Sequence, residues 1–289
     1  MKTRPLHKDF GVEVQDISLL DAICDESIFN KIQDLFETHS LVLLRNQDVS
    51  DDLQATFARG FGSLEKTKVG SGGEGSFYAR MSNVDPQGNV VPADHQALLI
   101  AKANQLWHTD SSFKALPALA SVLSARVIPS NGGETEFVST RVAWDRLDSD
   151  TQETLLDKVA VHSYATSRNQ IDPTMMSQAE HDALPPVRRP LTWTNPTNNK
   201  RSLYIASHAG AIEGMPDKEG AAFLQELMDW STQEPYVYRH QWQQGDVLLW
   251  DNRATMHRGR PWQSQEPRSI VRITISASSK DGVEDMRLS

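Results

Sequence analysis

The chain has a single cysteine, Cys24, so an intrachain disulfide is impossible and a secreted fold stapled by disulfides is excluded. It has no apolar run approaching the ~20 residues that a membrane-spanning helix needs. Its first residues, Met1-Lys2-Thr3-Arg4-Pro5, carry neither the apolar segment nor the cleavage signal of a secretory leader. It also lacks a surplus of positive charge. The formal net charge of −9 argues against a general nucleic-acid or anionic-membrane surface, so a small anion would have to be held by local arginines. No internal repeat, low-complexity tract or clear interdomain linker is visible. These absences give the expectation of a soluble cytoplasmic protein with no nucleic-acid or membrane partner, built as one domain over residues 1–289.

What is present reads as a globular chain rich in short strands. The 38% apolar content is ordinary and supports a sizeable core. Ile28, Phe29, Ile32, Leu35 and Phe36 mark one face of a helix after Asp25-Glu26. Leu41–Leu44 is a buried strand, and Ser50 caps a second helix carrying Leu53 and Phe57. From 66 to 104 periodicity fades; such a stretch reads either as a disordered surface loop or, since it immediately precedes His108, as a lid. Strands are expected at Ala118–Ile128, Glu134–Phe137, Arg201–Ser207, Tyr236–Tyr238, Asp246–Trp250 and Ile270–Ile275. Short helices fall near Thr140–Leu147 and Ser149–Val159, an irregular insert spans 168–200, and Asp217–Trp230 is an amphipathic helix. This pattern predicts a mainly β core, a barrel or jelly roll, with N-terminal and inserted helices.

Two stretches carry chemistry. In a strand, His108 and Asp110 would face one side and place an imidazole beside a carboxylate. Such a tripeptide also occurs by chance, as an ordinary surface hydrogen bond. His257 lies just past the buried strand Asp246–Trp250, where a histidine is more often structural than a ligand. Beyond it, alternation along Arg268–Ile275 puts Arg268 and Arg272 on one face. Each could point to solvent or pair with a nearby acid. Each could instead hold a carboxylate through its planar fork. Two histidines and one carboxylate on one face of a metal, with other positions open, form the ligand set of non-haem Fe(II) oxygenases.

Together these residues resemble the Fe(II)/α-ketoglutarate-dependent dioxygenases of the taurine dioxygenase type, nearest the chlorophenoxyacetate-degrading branch. The resemblance rests on Asn104–Phe113, on Gly132-Gly133-Glu134-Thr135-Glu136-Phe137, on Trp250–Arg253 with His257-Arg258-Gly259, and on Arg268 and Arg272. It extends to Arg59-Gly60-Phe61-Gly62. It implies a double-stranded β-helix, or jelly roll. It also implies Fe(II) bound by His108, Asp110 and His257, with α-ketoglutarate as cosubstrate held by Arg268 and Thr135. O2 would be the oxidant, with ascorbate aiding the reaction in vitro, and Arg272 would hold the acid group of the primary substrate. His208 and, less directly, His162 would lie near the site, although each could be a core histidine. Lys68 would add a positive charge at the acid group unless it is a solvated loop lysine. The implied reaction is hydroxylation of a small acid, an aryloxyalkanoate or a sulfonate, coupled to decarboxylation of α-ketoglutarate to succinate. Related enzymes are often homo-oligomers. Two other classes stay open on the residues alone: a Zn²⁺-dependent hydrolase and a jelly-roll binding protein without chemistry.

Overall fold

The computed structural model describes residues 1–67, 75–92 and 95–288. Its centre is a seven-stranded sheet. In spatial order its strands are Lys2–Pro5, Val12–Gln15, Leu41–Leu44, Val247–Asp251, Ala118–Val127, Ser269–Ser276 and Ala79–Ser82. A smaller sheet faces it, ordered Tyr238–His240, Thr135–Ser139, Thr255–Gly259. Leu43, Leu123, Leu248, Trp250 and Ile270 of the large sheet pack against Phe137 and Trp242 on the small-sheet side. These two sheets form the jelly roll.

The alternation of apolar side chains decides what covers the large sheet's other face. Val42, Val122, Leu249, Ile273 and Ile275 point outward there and are closed off by Ile32 and Phe36 of the helix Glu26–His39 and Phe57 of the helix Asp51–Arg59. Both helices start as their sequences require. The Asp25 carboxylate accepts from the Ser27 and Ile28 amides, and the Ser50 hydroxyl from Leu53. On the far side of the small sheet, Val138 and Met256 pack with Trp144, Leu224 and Leu227 from the inserted helices. The molecule is thus layered as helices, large sheet, small sheet and inserts.

Several local expectations need correction. The stretch 66–104 is not one ungoverned loop. It holds the edge strand Ala79–Ser82, paired with Ser269–Arg272, and the helix Gln96–Ala103. The insert at 168–200 contains the helix Gln178–Ala183 and the strands Val187–Pro190 and Thr192–Thr194. The strand expected at Tyr236 begins only at Tyr238, because Pro235 lies in a 3₁₀ turn over Glu234–Tyr236. The strand Arg201–Leu203 ends early. Among the described residues, no helix is long and apolar enough to cross a membrane.

Candidate active site

His108 and His257 are locked together by backbone before their side chains matter. The His108 N–H donates to the His257 carbonyl (3.0 Å), and the His257 N–H to the His108 carbonyl (2.8 Å). His257 belongs to the strand Thr255–Gly259, but His108 contributes only this single bridge. The expectation that His108-Thr109-Asp110 forms a regular strand is therefore corrected. Asp110 reaches the imidazoles through a turn held by Asn252. The Thr109 hydroxyl donates to the Asn252 carbonyl (2.7 Å), while Asn252 Oδ1 accepts from the Asp110 N–H (3.1 Å) and Trp250 Nε1–H (3.0 Å). Asn252 Nδ2 donates to Ser121 Oγ (3.1 Å), which donates in turn to Asp110 Oδ2 (2.7 Å).

The three side chains are buried, and one ligand atom from each falls within 4.8 Å of the others. His108 Nε2 is 4.0 Å from Asp110 Oδ1, and His257 Nε2 is 3.9 Å from Asp110 Oδ2. Those gaps exceed hydrogen-bond distance, so the groups converge without bonding one another. His108 Nδ1–H donates to the Leu106 carbonyl (2.7 Å), which leaves the Nε2 lone pair facing the carboxylate. Burial pushes both imidazoles below the usual range, His257 well below it, and keeps them in the neutral form that ligates a metal. Burial alone would raise the Asp110 carboxyl. The Arg272 guanidinium, Nη1 to Oδ1 at 2.5 Å, more than offsets this with help from the Ser121 hydroxyl, and holds it below the carboxylate range. Two neutral imidazoles and one carboxylate suit a divalent cation with positions left open.

A cavity of about 660 Å³ opens beside this cluster and is lined by His108, His257, Thr135, Arg268 and Arg272. Arg268 is 7% exposed. Its Nη2 donates to the Gly133 carbonyl (3.1 Å), its guanidinium lies 5.0 Å from the Trp262 ring, and its Nε has no partner. No carboxylate among the described residues pairs with it, and burial pushes its pKa down to about 10. Gly133 makes room for it. At φ +73° this residue has left-handed backbone, and a Cβ there would sit 3.0 Å from Arg268 Nε. The Thr135 hydroxyl accepts from Trp242 Nε1–H (3.0 Å) and keeps its own proton to donate. A buried cation flanked by a free hydroxyl is a receptor for a carboxylate. The donors present therefore fit both a metal and a keto acid.

The model of the taurine catabolism dioxygenase family, TauD/TfdA, matches residues 2–274. The chain belongs to this family. Among its relatives in the family, the chain is 40% identical to an α-ketoglutarate-dependent 2,4-dichlorophenoxyacetate dioxygenase of Cupriavidus pinatubonensis, over 93% of this chain and 96% of that one. It is 34% identical to an (S)-phenoxypropionate/α-ketoglutarate dioxygenase of Delftia acidovorans, over 93% of this chain and 92% of that one. A crystal structure of AAD-2 in complex with Mn(II) and N-oxalylglycine superposes with a TM-score of 0.86 at 33% identity, covering 96% of this chain and 98% of that one.

A second cavity of about 150 Å³ also adjoins the TauD/TfdA-type triad and shares His108, Arg272 and Asn104 with the first. His208 lines it, buried, with its ring 4.6 Å from Phe113 and 6.0 Å from His108. Tyr164 and Phe77 complete an aromatic wall that the sequence did not disclose. His162 is fully buried against Tyr204 and lines neither cavity. Lys68 falls outside the described residues. Ser121 and Asn252, which hold Asp110 in place, were not foreseen. Asn252 sits in a motif that marks the family, but only its side-chain contacts disclose its part.

Proposed function

We propose that the protein is an Fe(II)- and α-ketoglutarate-dependent dioxygenase that hydroxylates an aryloxyalkanoate of the chlorophenoxyacetate kind and so cleaves its ether. The observation that carries this reading is Arg268, a buried guanidinium without a carboxylate partner, in the same cavity as the three converging ligand atoms. A hydrolase or an inert jelly roll has no use for that pairing. The relatives named for 2,4-dichlorophenoxyacetate and phenoxypropionate, at 34–40% identity, support an aryloxy acid. A relative named for sulfate esters is 26% identical, which makes a sulfur oxyacid the second choice.

In this reading His108, Asp110 and His257 hold Fe(II), and Arg268 with Thr135 holds the distal carboxylate of α-ketoglutarate. Arg272 receives the acid group of the primary substrate, with His208 beside it. When bound there, the metal supplies the oxidising chemistry by which α-ketoglutarate and O2 yield succinate, CO2 and a hydroxylated substrate. The protein's own residues orient and exclude water. Ser121 and Asn252 fix the carboxylate ligand, Leu106 fixes the His108 tautomer, and Phe113 and Tyr164 provide an apolar wall. Hydroxylation at the carbon next to the ether oxygen gives a hemiacetal, which collapses to a phenol and a keto or aldehyde acid. The whole chain acts as one domain, in the cytoplasm and as a homo-oligomer.

The test supplies purified protein with Fe(II), ascorbate, α-ketoglutarate and a panel of aryloxyacetates, aryloxypropionates and alkylsulfonates. Succinate and phenol are expected in step with an aryloxy acid. Succinate with sulfonates alone would move the substrate to that class, and no succinate with any of them would refute the oxygenase reading.

A further inference from the structure

One buried cation has no part in the chemistry described so far. Arg168 lies in the last turn of the short helix Tyr164–Asn169 and is 8% exposed. Its guanidinium carbon stands 4.2 Å from the centre of the Tyr164 ring, and Nη1 makes one long contact to Ser167 Oγ at 3.4 Å. Its Nε has no partner. It lines the smaller cavity beside the triad. The other cations there are matched by acids. Lys114 pairs with Glu65 at 2.6 Å, Arg272 with Asp110 at 2.5 Å, and Arg80 with Asp51. Arg168 is the cavity's cation left without a carboxylate among the described residues.

A desolvated guanidinium with no counter-charge is unfavourable, and an uncharged side chain would fill the same space without that penalty. The arrangement makes sense if an anion enters the cavity. Arg272 already commits Nη1 to Asp110, whereas the fork of Arg168 is almost wholly uncommitted. The neighbouring groups fit a ligand with one acidic end and an apolar body, because the rings of Phe113 and His208, 4.6 Å apart and tilted by 48°, line the same cavity.

We propose that Arg168 is a second anion-recognising residue of the primary-substrate cavity, and that it, more than Arg272, distinguishes an aryl acid from its uncharged analogue. This rests on reading the smaller cavity as the primary-substrate site. The tests are Arg168→Gln and Arg168→Lys, with Arg168→Met as a second neutral variant and melting curves to verify folding. Fe(II)-loaded protein is kept anaerobic with α-ketoglutarate, so that binding is read without turnover. Phenoxyacetate, phenoxyacetamide and hexanesulfonate are titrated by calorimetry, as is α-ketoglutarate itself.

Loss of a buried charged contact should weaken phenoxyacetate by about 30-fold or more in the neutral variants. Phenoxyacetamide and α-ketoglutarate should bind as to the parent, and Arg168→Lys should recover part of the loss. Equal weakening of acid and amide, or of α-ketoglutarate, would overturn the proposal and make Arg168 a packing residue. Unchanged phenoxyacetate binding in the neutral variants would overturn it too, leaving the aryloxy reading intact. If the parent bound hexanesulfonate and not phenoxyacetate, and the neutral variants lost hexanesulfonate, the aryloxy reading would fall and the role of Arg168 would stand. A parent that bound no anion besides the keto acid would overturn the proposal.

Discussion

Replacing Arg268 with methionine should make the protein more stable and unable to bind α-ketoglutarate. The magnitude follows from the site. Burial pushes the Arg268 guanidinium down to about 10 from the ordinary arginine range, with no carboxylate among the described residues to counter it. A base whose folded pKa lies below its unfolded one carries a penalty that is fully present below the folded pKa. That penalty is relieved only as pH rises from about 10 toward the ordinary arginine range. At pH 7 it stands in full, and a shift of this size corresponds to about 3 kcal/mol. Methionine is long and apolar enough to occupy much of the same space. The substitution also strips the Gly133 carbonyl of its donor, returning about 1 kcal/mol. Lost contact with Trp262 returns roughly 0.5 kcal/mol more. The variant should therefore be more stable than the parent by about 1–2 kcal/mol. Urea unfolding at pH 7 without α-ketoglutarate measures this. Added α-ketoglutarate should raise the melting temperature of the parent by mass action and leave the variant unmoved. A variant less stable than the parent, or one still stabilised by the keto acid, would refute the idea that this cation is held in reserve for a carboxylate.

Asn252→Ala should remove the acceptor of the Asp110 N–H and of Trp250 Nε1–H, and with it the donor to Ser121. The expected cost is roughly 1–3 kcal/mol of stability and about 10- to 100-fold in metal affinity. Urea unfolding and Mn(II) titration check both, and parental metal affinity would contradict the positioning role. The pH dependence of metal binding follows from the two imidazoles. Burial lowers both from 6.5, so they stay neutral at pH 6.5, and Mn(II) should be lost only as pH falls through their lowered values. Mn(II) affinity between about pH 5 and 8 tests this; half-loss at or above about pH 6.5 would count against it.

The sequence showed elements whose signals are local. Caps at Asp25 and Ser50 and the apolar run Leu41–Leu44 needed no partner to be read. What it hid depends on tertiary pairing. The strand Ala79–Ser82 is half-exposed at a sheet edge, so it shows little alternation and is fixed by its partner Ser269–Arg272. His108 and Asp110 were recognisable as residues, but their convergence comes from Asn252 and a bridge to His257, which no period-two rule describes. The aromatic wall and Arg168 were invisible for the same reason. The wall gathers Phe77, Phe113 and Tyr164 from three separate segments, and Arg168 opens an insert whose irregular sequence gives no hint of which side chains turn inward.

The reciprocal backbone bonds between His108 and His257 also bear on how the molecule folds. They join points about 150 residues apart, so the loop-closure entropy of that contact is met by a backbone bridge rather than by ion binding. The ion is then no folding nucleus, and the chain should reach its native topology without it. Metal uptake becomes a late step whose rate reports how quickly the two segments find each other, a high-contact-order event of the kind that makes sheet-rich folds slow.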